Sequence, residues 1–104
     1  MNPQPKLMPL SAGAIPGAIS KAERYRFLNE PWQAESICRD VLIIEPTNEP
    51  ALILLVLSLT DQFEQDVSPK EALHIVETMP NEYHRAYYSG IVHAAGNRPT
   101  STAP

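Results

Sequence analysis

Three histidines (His74, His84 and His93) and one cysteine (Cys38) are the side chains of this 104-residue chain best suited to metal binding or nucleophilic chemistry. A zinc or catalytic site needs such groups gathered on one face, as ligands one helical turn apart or as a thiol beside a base. His74, His84 and His93 each lack a histidine or carboxylate at i+4 on an apolar face, and His84 and His93 point in different directions. They read as surface or interface histidines. A nucleophilic thiol needs a basic partner or a helix start to lower its pKa, whereas Cys38 falls mid-helix within an apolar stripe and reads as a packing residue. A lone cysteine excludes an internal disulfide and a multi-cysteine metal site, and suits a reducing compartment. The four glycines, Gly13, Gly17, Gly90 and Gly96, are too scattered for a phosphate-binding loop. There is no Gly-x-Ser-x-Gly elbow, and no paired carboxylates stand out from ordinary surface charge. The expectation is a protein without catalysis, cofactor or metal.

The formal net charge of −4 argues against non-specific binding to nucleic acid or to an anionic membrane, since both need excess Lys and Arg. Residues 48–82 carry seven acids against one lysine, a net of −6. Such a run either steers a basic partner or forms a solvated face, and the second is the commoner arrangement. The longest apolar run, Ala51 to Leu59, is about half of the roughly 20 residues needed to cross a bilayer. Residues 1–16 hold only Lys6 as a base and are interrupted by Pro3, Pro5, Pro9 and Pro16. They do not resemble a secretory signal and are expected to be an extended, flexible lead-in. Residues 97–104 have the same character, which leaves 17–96 as one ordered domain and points to a cytoplasmic protein.

Positioning of these residues falls to helices. Ser68-Pro69-Lys70-Glu71 has the pattern of a helix start: a capping serine, a proline in the first turn and a glutamate able to complete a capping box. Asn48 before Glu49-Pro50, and Asn81 before Glu82, are further caps with a carboxylate in the first turn. Asn29-Glu30-Pro31 marks a tight turn between helices, and Gly96 is a stop signal. The implied helices span about 17–28, 31–45, 49–65, 69–79 and 82–95. Ala34, Ile37, Cys38, Val41 and Ile44 form one apolar stripe, and Ala72, Leu73, Ile75, Val76 and Met79 another. No stretch alternates with period two. The third helix is apolar nearly all round, which places it at the centre of an all-α fold.

The chain aligns with itself at a shift of 34 residues. Ala18, Leu52 and Ala86 coincide, as do Ala22, Val56 and Gly90; Tyr25 meets Leu59, Cys38 meets Ala72, Val41 meets Ile75, Leu42 meets Val76, and Pro46 meets Pro80. This pattern resembles the tetratricopeptide repeat family, whose unit is a helical hairpin of 34 residues. The first copy reads Ala18-x-x-Lys21-Ala22-x-x-Tyr25, Ala34-x-x-x-Cys38 and Pro46, without the usual Trp and Leu at its start. The second reads Leu52-x-x-Leu55-Val56-x-x-Leu59, Ala72 and Pro80; the third offers a first helix only, Ala86-x-x-Ser89-Gly90-x-x-His93.

The resemblance implies a solenoid of about five antiparallel helices, two and a half repeats over 17–96. It also implies a scaffold for protein partners with a concave groove lined by the first helix of each pair. The implied groove residues are Ile19, Glu23, Arg26, Phe27, Ile53, Leu57, Tyr87, Tyr88 and Ile91. A peptide or helix would be held there by apolar and aromatic anchors. Ile53 and Leu57 also read simply as completing the core of a short stack. The carboxylate-clamp role of some family members is not expected, because Ile19, Glu23, Leu54, His84 and Tyr88 occupy the positions where Lys, Arg and Asn are needed. Two rivals stand beside the groove: a homodimer that buries Tyr83 and Tyr87 of the last helix, and nucleic-acid binding, which the charge disfavours.

Overall fold

The computed structural model describes residues 11–65 and 67–96, and every regular element among them is helical. Five α-helices follow in order: α1 (Ile15–Phe27), α2 (Pro31–Ile44), α3 (Glu49–Thr60), α4 (Pro69–Glu77) and α5 (Glu82–Gly96). Short 3-10 turns, Ala12–Ala14 and Phe63–Gln65, precede α1 and follow α3.

The starts of the helices are written in capping chemistry. Asn48 Oδ1 accepts the Ala51 amide at 2.9 Å, and Asn81 Oδ1 accepts the His84 amide at 2.9 Å. Ser68 Oγ accepts from Lys70, one position earlier than a capping box requires, and Glu71 turns away to bind Arg39. The α1–α2 turn rests on Asn29, whose φ of 65° is left-handed. Its amide donates to the Arg26 carbonyl and that of Glu30 to the Tyr25 carbonyl. This is the paired closure that ends a helix on a left-handed residue, a place Asn tolerates better than most.

Three boundaries differ from the sequence expectation by two residues or more. The helix α1 begins at Ile15 rather than 17, because Pro16 sits in the first turn, where its missing N–H is no loss. The expected flexible lead-in therefore loses residues 11–16 to ordered structure, and its remainder, 1–10, lies outside the described residues, as does 97–104. The helix α3 stops at Thr60 instead of 65. There the Thr60 hydroxyl donates to the Leu57 carbonyl and the Gln62 amide to that of Ser58, so side chains take over carbonyls at the helix end. The helix α4 stops at Glu77 instead of 79, with the Thr78 hydroxyl on the Ile75 carbonyl and Arg85 of α5 on those of Met79 and Pro80.

Each helix packs on the next in the chain, and α3 additionally packs on α1 and α5. The central position of α3 follows from its composition: seven of its residues, Ala51, Leu52, Leu54, Leu55, Val56, Ser58 and Leu59, are buried. Leu55, Leu59, Met79, Val41, Val56 and Val92 are the largest wholly enclosed apolar side chains. A smaller cluster of Ile15, Val41 and Ala51 seals the end where α1 starts. Two of the pairs 34 apart share full burial: Ala22 and Val56 are both 0% exposed, as are Cys38 and Ala72. Other pairs differ, Val41 being buried where Ile75 is half-buried and Leu42 half-buried where Val76 is buried. Gly90, the third member of the first set, is exposed.

Candidate functional site

A cleft of about 450 Å³ opens between α1 and α3. Glu23, Arg26 and Phe27 line it from α1, and Pro50, Ile53, Leu54 and Leu57 from α3. The α3 wall has the spacing i, i+3, i+4, i+7, which puts four apolar side chains on one face of a helix. Phe27, 89% exposed, stands opposite on the last turn of α1.

Five of the nine residues expected in the groove thus meet in one cleft: Glu23, Arg26, Phe27, Ile53 and Leu57. Ile19 does not line it and packs half-buried against both core clusters. Tyr87, Tyr88 and Ile91 belong to α5 and do not line it either. Pro50 was not expected, and Leu54 stands at a carboxylate-clamp position without being among the nine; the helical spacing from Ile53 and Leu57 reaches both.

Arg26 is engaged. Its Nε donates to Asp61 Oδ2 at 2.6 Å and its Nη2 to Oδ1 at 3.2 Å, a two-point bond tying the end of α1 to the turn after α3. That pair cancels its own charge at the rim of the cleft. Glu23 makes no ion pair among the described residues. The acid-rich stretch is used in a way its composition did not announce, since Asp61, Glu71 and Glu49 each bind a base from another helix.

His84 is a half-buried tie, with its Nδ1 2.8 Å from Glu49 Oε2, joining α5 to the start of α3. This carboxylate is 35 residues away, beyond any search at helical spacing. The ring also meets Tyr88 edge-on at 6.1 Å. Tyr88 in turn meets Tyr87 edge-on at 4.9 Å, and Tyr87 stacks on Tyr83 at 6.4 Å with 9° between planes. Burial, with Tyr87 beside it, raises the Tyr88 hydroxyl above the usual tyrosine range. Tyr83 and Tyr87 remain 75% and 53% exposed.

A second polar chain crosses three elements. Glu35 of α2 accepts from Gln62 at 2.9 Å through one oxygen and from Arg39 through the other; Arg39 donates onward to Glu71 of α4 at 2.6 Å. Burial works against the Arg39 charge, but the bonds from Glu71 and Glu35 outweigh it and hold the guanidinium above its ordinary range. Cys38, between Glu35 and Arg39 on α2, is buried, and burial pushes its thiol up to about 12. Among the described residues no group of three or more His, Cys, Asp or Glu side chains could hold a metal ion. No described helix is long and apolar enough to cross a membrane. No family model, curated protein or solved structure matches the chain.

Proposed function

We propose that this chain is a non-catalytic interaction module built from helical-hairpin repeats of the tetratricopeptide kind. Its cleft between α1 and α3 receives an apolar peptide or amphipathic helix of a partner protein. The observation that carries the reading is the cleft's lining: Pro50, Ile53, Leu54 and Leu57 in one stripe, facing a phenylalanine left almost entirely in water. A stripe of that spacing opposite an aromatic is the geometry that accepts a helix through anchors one turn apart. Two features support the repeat. Two pairs 34 apart, Ala22 with Val56 and Cys38 with Ala72, are fully buried, and α1, α3 and α5 pack in series as first helices of successive units do.

The experiment is a selection of displayed random peptides on the purified chain. Peptides that bind the wild type are expected to lose binding to Ile53→Glu and Leu57→Glu while circular dichroism keeps its helical signal. A selected pool that binds both folded variants as well as wild type sinks the reading, as does a selection that enriches nothing.

A further inference from the structure

Among the described residues nothing covers one face of α5. Val92 is its buried residue, while Tyr83, Ala86, Tyr87, Gly90 and Ala94 are all exposed. At 100° per residue these five fall within an arc of about 100°, and no charged side chain lies inside that arc. Residues 34 and 68 positions before Gly90, Val56 and Ala22, are fully buried, and the next helix in the chain packs on each of their helices. On α5 the corresponding surface faces solvent, and a Cβ placed on Gly90 would meet nothing within 4 Å.

The geometry points to a second copy of this chain as the occupant, with its α5 lying antiparallel across this face about a two-fold axis. The polar side chains at the rim, a carboxylate and an imidazole able to hydrogen-bond it, select that arrangement. Glu82 and His93 are both exposed and stand eleven residues apart, three turns plus about 20°, so they mark the two ends of one edge. A two-fold axis in the interface plane, perpendicular to the helices, brings that edge against itself with its direction reversed. Glu82 then meets the partner's His93, and His93 the partner's Glu82. In the same register Tyr83 lies over the partner's Ala94, Ala86 beside the partner's Gly90, and the two Tyr87 rings meet near the axis. Tyr83 finds a small residue opposite it, and the uncharged face has no repulsion with itself to overcome. A parallel pairing, its axis running along the helices, would instead set Glu82 against the opposite edge of the partner helix and away from the partner's His93. This surface is separate from the α1–α3 cleft, so either reading can fail without the other.

The test is the mass of the full chain by sedimentation equilibrium at micromolar concentration. Wild type is expected to be a dimer. Gly90→Glu places two like charges beside the axis and is expected to give a helical monomer. Glu82→Lys and His93→Glu are each expected to weaken dimerisation by about tenfold or more. The double variant Glu82→Lys/His93→Glu restores it. Both changes are individually unfavourable to the α5 dipole, so a recovery in the pair comes from the contact between subunits and not from helix stability. A monomeric wild type overturns the proposal, as does a dimer that survives Gly90→Glu. Single variants without effect, or a double variant weaker than either single, also overturn it. If Gly90→Glu fails to fold, the charge-reversal series decides.

Discussion

Glu35 of α2 and Gln62, beyond the end of α3, meet through a 2.9 Å bond in which the buried amide donates to the carboxylate. The same amide donates to the Ser58 carbonyl at 3.0 Å, so one side chain closes α3 and fastens it to α2. Glu35 is the branch point of the chain that continues through Arg39 to Glu71. Removing it is expected to cost more than removing the far end. Glu35→Ala leaves the Gln62 amide short of a partner in a buried place and is expected to lose about 1–3 kcal/mol. Glu71→Gln disturbs a half-exposed ion pair, for which about 0–1 kcal/mol is expected. Urea unfolding of both variants measures the difference; equal losses would mean that the network has no anchored end.

Ser58 is 0% exposed, and its hydroxyl has no hydrogen-bond partner. A buried hydroxyl without a partner carries its desolvation penalty uncompensated, and serine is a poorer helix former than alanine. Ser58→Ala is therefore expected to raise stability by about 1 kcal/mol, read as a higher urea midpoint at an unchanged slope. A destabilised variant would show that the hydroxyl is satisfied in solution.

Asn29 holds its left-handed conformation in the α1–α2 turn at φ 65°. Glycine adopts this region freely, whereas a β-branched residue is strained there. Asn29→Gly is expected to leave stability within a few tenths of a kcal/mol, and Asn29→Val to lower it by about 1–2 kcal/mol. Thermal unfolding of the pair checks the order; a tolerated valine would contradict the left-handed turn.

The Cys38 thiol gives the chain an alkaline limit. Burial holds its proton up to about 12 in the folded state, against an ordinary value of 9.0. Unfolding then releases a proton between these values, so stability is complete below pH 9 and falls as pH rises towards 12. At pH 10 the loss is on the order of 1 kcal/mol. Lysines and tyrosines also titrate there, so the measurement is the difference between wild type and Cys38→Ala from pH 8 to 10.5 or so. Parallel pH profiles would show the thiol to be solvated.

Much of the architecture was legible because proline and capping residues act locally. Pro31, Pro50 and Pro69 occupy first turns, and Asn48 and Ser68 cap the helices they precede. The end of α3 was not legible, since it depends on Gln62 finding Glu35, 27 residues back in the chain. The same holds for the ion pairs Arg26–Asp61 and Arg39–Glu71 and for the His84–Glu49 contact, joined across 35, 32 and 35 residues. Charge spacing within one helix carries no information about them. The cleft was half legible. Repeat spacing brought Glu23, Arg26 and Phe27 to Ile53 and Leu57, but it also assigned Tyr87 and Tyr88 to a continuous groove. In the structure these two belong to an aromatic cluster with Tyr83 and His84 on α5.

Leu55 and Leu57 stand two positions apart on α3 and separate folding from binding. Leu55 is 1% exposed at the centre of the core, whereas Leu57 lines the cleft and is only half-buried. Leu55→Ala is expected to lose about 2–5 kcal/mol through the lost burial and the cavity left behind. For a domain whose total stability is about 5–15 kcal/mol that is a large share, and the midpoint of unfolding should fall steeply. Leu57→Ala removes less enclosed surface and is expected to cost about 1 kcal/mol or less. On the proposed function it also abolishes most of the affinity for peptides selected on wild type, which the better-buried Leu55 affects only through folding. Measuring urea midpoints and peptide affinity for both variants gives a crossed pattern if α3 serves the core on one face and the partner on the other. If affinity follows stability in both, Leu57 belongs to the core alone, and the cleft is a by-product of how α1 and α3 pack.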